Sequence, residues 1–101
     1  MNSLNSILLE GNLIADPFVE ADGTTSFTIK TLRFVLDSEP ERFEFYVKAS
    51  GKLGASCAFT LVSGRGVRIV GHLARDGGGV YIVAEHVEFK PIKAVVPTDG
   101  E

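Results

Sequence analysis

Few side chains in this sequence combine the types and spacing that covalent chemistry requires. Cys57 is the only cysteine, so no intramolecular disulfide and no multi-cysteine metal site can form. A thiol nucleophile needs a partnered imidazole, and no motif ties His72 or His86 to Cys57; the preferred role of Cys57 is that of a small buried hydrophobe. The two histidines lack metal-ligand spacing and read as surface or interface residues. Gly77-Gly78-Gly79 is followed by neither Lys-Ser/Thr nor a helix, so it is not a phosphate loop. The carboxylates form no recognisable acid–base pair. An enzyme, a metal site and a cofactor site all lack sequence support.

What the sequence does carry is patterned charge. The formal net charge is −3, which argues mildly against a polyanionic ligand. Its distribution argues the other way. Residues 1–29 hold Glu10, Asp16, Glu20 and Asp22 and no Lys or Arg, whereas all 10 basic residues fall between Lys30 and Lys93. A basic face on an acidic whole follows, and local potential matters more to a ligand than the sum.

These side chains must be positioned by short extended elements. Ser6 to Ile14 reads as a strand whose Gly11-Asn12 marks a bend. Asp16-Pro17 ends it, Phe18 to Ala21 is a short extended piece, and Asp22-Gly23 is a turn. Thr25 to Leu36 is a long strand rich in Thr, Phe, Ile and Val. The polar connection Asp37 to Glu41 leads to a strand from Arg42 to Ser50, where the period-two pattern is clearest. Phe43, Phe45, Val47 and Ala49 share the core face, and Glu44, Tyr46, Lys48 and Ser50 are left to solvent or ligand. After Gly51 the period changes: Leu53, Cys57 and Leu61 lie four apart with Ala58 and Phe59 near them, which predicts a short helix over Lys52 to Val62. Ser63 to Gly66 is a loop and Val67 to Leu73 a strand. Asp76 to Gly79 is a glycine-rich hairpin turn, and Val80 to Phe89 is the last strand before Pro91.

Three strands, one helix and two strands are the order of an all-β, five-stranded OB-fold barrel with one short helix between strands three and four. At 101 residues the chain fits one domain, expected over residues 1–92 with a flexible tail over 93–101. So small a body buries a small share of its surface, and self-association would help it. The N-terminus has no signal-peptide pattern. The longest apolar run, Val80 to Ala84, is too short for a membrane-spanning helix. A cytoplasmic location and no membrane partner are expected.

The residues narrow the expectation further. Leu4-Asn5-Ser6-Ile7-Leu8-Leu9-Glu10-Gly11-Asn12-Leu13 followed by Asp16-Pro17 resembles the opening strand of bacterial single-stranded DNA-binding proteins. Phe43 to Leu53, ending Gly51-Lys52-Leu53, resembles that family's third strand running into its helix. Gly64-Arg65-Gly66-Val67-Arg68-Ile69-Val70-Gly71-His72-Leu73 resembles its fourth strand, and Val83-Ala84-Glu85-His86-Val87-Glu88-Phe89 its last. No single motif is specific, but the four stand in order over residues 4–90. The resemblance implies non-catalytic binding of single-stranded DNA in replication, recombination or repair. It also implies a homo-oligomer, a tetramer before a dimer, in which first strands adjoin.

In such proteins a basic groove follows the phosphates while rings stack on unpaired bases. The resemblance places Lys52, at the helix start, on DNA, with Tyr46 and Lys48 on the polar face of the third strand. Lys30 and Arg33 lie on or beside the corresponding face of the second strand, and Phe34 falls near a family aromatic position. Arg65 and Arg75 sit at loop edges facing phosphate; Arg42 does the same or pairs with Glu41 or Glu44. For Phe34 the alternative is core packing, for Tyr46 cover of a neighbouring strand, and for Lys52 a solvated surface.

The chain also departs from the family. It has no tryptophan. Glu44 and Ser50 stand at stacking positions, the last hairpin is cut to about six residues, Ala74 to Gly79, and Asp37 to Glu41 is short and acidic. The family's linker and acidic-hydrophobic tip have no counterpart in Val96 to Glu101. These departures define an alternative: an OB-fold interaction or assembly module that has lost strong nucleic-acid binding and whose expected partner is a full-length homologue or a replication complex.

Overall fold

The structure, a computed structural model, describes residues 2–92. The tail expected over 93–101 lies outside the described residues. The chain runs β1 (Ile7–Leu13), β2 (Phe18–Val19), β3 (Thr25–Arg33), β4 (Glu41–Ala49), α1 (Gly51–Thr60), β5 (Gly66–Asp76) and β6 (Gly79–Phe89). The sheet order is β1-β5-β6-β4-β3-β2, and an additional β1–β3 pairing closes five of the strands into a barrel. Closure rests on few residues. β1 meets β3 only at Asn12↔Lys30 and Leu13↔Ile29, and β4 meets β6 in parallel only at Val47↔Ile82 and Lys48↔Val83. β2 lies on the same edge of β3 as β1, through Phe18↔Ser26 and Val19↔Thr25. β1 and β2 thus act as one strand broken at Asp16-Pro17, because proline cannot donate to a ladder.

The inward alternation of each strand fills the barrel. Leu13, Ile29, Val47, Val67, Ile69 and Ile82 are all essentially inaccessible. α1 follows β4 and contributes Cys57 and Leu61 to the same cluster. Thr25 Oγ1 donates to the Gly54 carbonyl at 2.8 Å, a buried bond that fixes the helix against β3. A side chain at Gly54 would strike the Ala49 carbonyl, its Cβ 2.4 Å from that oxygen. The glycine that weakens α1 in propensity is required by this close approach.

Several sequence expectations shift. The second long strand ends at Arg33, not Leu36; Ser38 N donates to the Val35 carbonyl at 3.2 Å, and Asp37 takes a positive φ of 61°. The last hairpin is tighter than expected. β5 runs to Asp76 and β6 begins at Gly79, so only Gly77 and Gly78 form the turn. Phe43 has core parity but is 44% exposed, stacked on Phe45 at 6.4 Å between ring centroids. Beyond Lys30 the strands β3 and β4 leave the barrel as a two-stranded ribbon, so no core lies beneath Phe43. Phe59 is not near the helix's buried stripe; it is fully in solvent.

Candidate nucleic-acid interface

Strand register decides which side chains share a face. Ile29↔Phe45 and Phe27↔Val47 point inward, so the alternate pairs Lys30↔Glu44, Thr28↔Tyr46 and Ser26↔Lys48 point outward. The parallel β4–β6 pairing brings Tyr81 and Val83 onto the same outer face. Lys48 Nζ lies 4.9 Å from the Tyr81 ring centroid and 5.8 Å from that of Tyr46. Rings and a cation therefore meet at the centre of this face, as a surface for stacked bases and phosphates requires. Lys30 is on the same face four residues along, about 13 Å away at the strand's rise.

The cations of this face are not equally available. Lys48 Nζ lies 3.8 Å from Glu20 and 3.8 Å from Asp76, carboxylates that reach it from opposite hairpins. Tyr46 Oη donates to Glu20 Oε2 at 3.3 Å. Arg33 pairs with Glu41 at 3.0 Å, and Arg42 with Glu44 at 2.6 Å. Between the two pairings the sequence left open to Arg42, the structure shows the one with Glu44. Lys30, Lys52 and Arg75 have no carboxylate in ion-pairing distance among the described residues. Lys52 is exposed in the first turn of α1. Arg75 belongs to the strand part of the last hairpin, opposite Val80.

A second concavity borders the face. An open groove of about 780 Å³ runs between β1, the far half of β3, the α1–β5 loop and the chain after β6, lined by Lys30, Leu32, Phe34, Arg65 and Lys90 among others. Phe34 is 75% exposed, so core packing does not explain it. Arg65 is half-buried, its Nε donating to the Lys90 carbonyl at 2.9 Å, and it holds the loop to the end of β6.

Other ionisable groups sit off this face. Hydrogen bonding from Arg68, together with the charges of Lys90 and Arg68, holds the Glu10 carboxyl below its ordinary range, and Glu10 in turn raises Arg68. The Thr24 backbone N–H lowers Asp22 within its turn. Burial pushes the Cys57 thiol up to about 11, which suits a core residue and opposes a nucleophile. No group of three or more His, Cys, Asp or Glu side chains among the described residues could hold a metal ion.

No family model and no curated protein matches the sequence. A solved structure does match in shape. The chain is similar to a small single-stranded DNA-binding protein from Streptomyces coelicolor, with a TM-score of 0.74 and 21% identity over 89% of this chain and 95% of that one. This chain is an OB barrel. At that identity the likeness speaks for the fold alone. Within an OB barrel the outer face of β3, β4 and β6, flanked by the β2–β3 and β5–β6 hairpins, is a ligand-binding surface of known type. No helix among the described residues is long and apolar enough to cross a membrane.

Of the nine residues singled out from sequence, the structure gathers Lys30, Tyr46 and Lys48 on the OB barrel's outer face. Lys30, Phe34 and Arg65 line the groove beside it, and Arg33, Arg42, Lys52 and Arg75 stand at the margins. Sequence reasoning missed Tyr81, Glu20, Asp76 and Lys90. Tyr81 alternates outward with Val83, a period-two signal that was present. The acids gave none, because they reach Lys48 only after the hairpins fold.

Proposed function

We propose that this chain binds single-stranded DNA without catalysis, as a small relative of the bacterial single-stranded DNA-binding proteins. The observation that carries it is Lys48 set between the rings of Tyr46 and Tyr81 at the centre of an OB barrel's outer face. Phosphates of the strand run past Lys30, Lys48 and Lys52, with Arg33, Arg42, Arg65 and Arg75 at the margins, while Tyr46 and Phe34 offer rings to bases. The chain serves replication, recombination or repair in the cytoplasm. It works as a homo-oligomer, a tetramer before a dimer; among the described residues the edge of β1 along Ile7 to Gly11 that faces away from β5 pairs with no strand, and an unpaired edge favours strand addition.

The test is titration of labelled oligo(dT) over a salt series. Binding that weakens steeply with salt is expected, as counterion release requires. Replacing Lys30 or Lys52 by Gln should each lower the slope of log K against log salt by about 1. Absence of binding at about 50 mM salt, a condition that favours phosphate contacts, refutes the proposal.

One observation favours the second function, a protein-interaction module. Arg33, Arg42 and Lys48 all rest on this chain's own carboxylates. Mixed oligomers with a full-length homologue, formed without any oligonucleotide affinity, would establish it.

A further inference from the structure

Phe18 occupies an unexpected place. It is one of two residues in the edge strand β2, it is 66% exposed, and it lies outside the hydrophobic cluster that holds Phe27, Phe45 and Phe89. Packing does not account for a ring there. Register does place it. Phe18 is opposite Ser26, and Ser26 is opposite Lys48, so the three form one row across β2, β3 and β4 on the outer face. Two strand spacings separate Phe18 from Lys48, about 10 Å between backbones. Tyr46 stands in the next row, and only the small side chains of Ser26 and Thr28 come between the two rings. Phe18 and Lys48 thus share one row and Tyr46 stands in the next, around a Ser26 that is buried although it points outward.

The hairpin that carries Phe18 is held by its own backbone. Glu20 N donates to the Thr24 carbonyl at 2.7 Å, Gly23 N to the Glu20 carbonyl at 2.9 Å, and Thr24 N to Asp22 Oδ1 at 2.9 Å. Gly23 supplies the positive φ, 90°, that the turn needs. The Glu20 side chain lies on Lys48 and Tyr46.

We infer that the β2–β3 hairpin is a nucleotide clamp: Phe18 stacks one base of the strand, and the adjoining phosphate takes Lys48 from Glu20. The inference rests on single-strand binding and adds to it a stacking residue and a displaced acid. Glu20 opposes the ligand until a phosphate replaces it, because Glu20 and Asp76 both lie 3.8 Å from Lys48 Nζ and a phosphate entering beside them would meet two like charges.

The chain has no tryptophan, so Phe18→Trp gives a single indole reporter at this position. Its emission, and the anisotropy of a labelled oligonucleotide, are followed with oligo(dT) and with an abasic oligonucleotide of equal length. Quenching by oligo(dT) but not by the abasic strand is expected. Phe18→Ala should weaken oligo(dT) roughly fivefold or more, the scale of one lost stack, and leave the abasic strand unchanged. Glu20→Gln should tighten oligo(dT) about two- to fivefold, and this gain should shrink in a Lys48→Gln background. Anisotropy that reports binding while the indole stays unquenched and Phe18→Ala binds like the parent overturns the clamp and leaves single-strand binding standing. No anisotropy change with either oligonucleotide at about 50 mM salt overturns both.

Discussion

Lys30 and Glu44 face each other directly across β3 and β4, yet they do not pair: Glu44 turns along its own strand to Arg42, 2.6 Å away. On the face proposed to bind phosphates, an unengaged Glu44 carboxylate would offset the cation directly opposite it. Arg42 therefore acts on this face by occupying Glu44 and leaving Lys30 open.

Arg42→Ala should release Glu44 toward Lys30 and weaken oligo(dT) binding by more than Arg75→Ala, which removes a cation that is also exposed but has no ion-pair partner among the described residues. Glu44→Gln should tighten it, by about 0.2–1 kcal/mol, the range of exposed charge pairs. Equilibrium titration of the three variants at one salt concentration checks the order. Equal losses from Arg42→Ala and Arg75→Ala would show that Arg42 contributes charge alone.

Gly71 lies at the β-bulge between β5 and β6, where a Cβ would come 2.1 Å from the Val83 carbonyl. A backbone oxygen in a ladder cannot step aside cheaply. Gly71→Ala should destabilise the barrel by about 1–3 kcal/mol, as overpacking does, and lower Tm by about 4–8 °C for each kcal/mol. Gly77→Ala, where a Cβ would meet nothing within 4 Å, should stay within about 0.5 kcal/mol of the parent. Thermal melts of the two variants side by side make the comparison.

Cys57 is fully buried, and burial lifts its thiol to about 11. At pH 8 roughly one thiol in a thousand is ionised, and the thiolate is the reacting form. A disulfide thiol reagent should label the native protein only as fast as the barrel opens locally, and label the denatured chain within the mixing time. Prompt labelling of native protein would place Cys57 at the surface.

Glu10 links stability to pH. Its carboxyl is held below the ordinary value of 4.5, first by hydrogen bonding from Arg68 and then by Lys90. The unfolded chain takes up this proton at a higher pH than the folded one. The contribution is thus complete above about 4.5 and is lost as pH falls through the depressed folded value. Tm should decline below that point, and Glu10→Gln should decline less. Melting curves across the acid range, with both proteins in one buffer series, measure the difference.

Much of the fold was legible along the chain. Period-two alternation through Phe45, Val47 and Ala49 marked the core face of β4, and the four-residue spacing of Cys57 and Leu61 marked the helix. Both signals are local, because a side chain's direction follows from its own backbone's repeat. The same repeat named Tyr46 and Lys48 as partners on the outer face. It failed where the answer depended on what lay across space. Phe43 obeys the alternation but has no core beneath it, since β1 pairs with β3 only at Asn12 and Leu13. Phe18 shows no alternation within two residues, and only its register with Ser26 and Lys48 puts it on the face. Glu20 and Asp76 lie far from Lys48 in sequence and reach it because two hairpins fold toward each other over β4. The sequence by itself determined the elements and the sides of its strands; which charges meet on the finished face was decided by tertiary structure, because charge pairing depends on distance through space and not on separation along the chain.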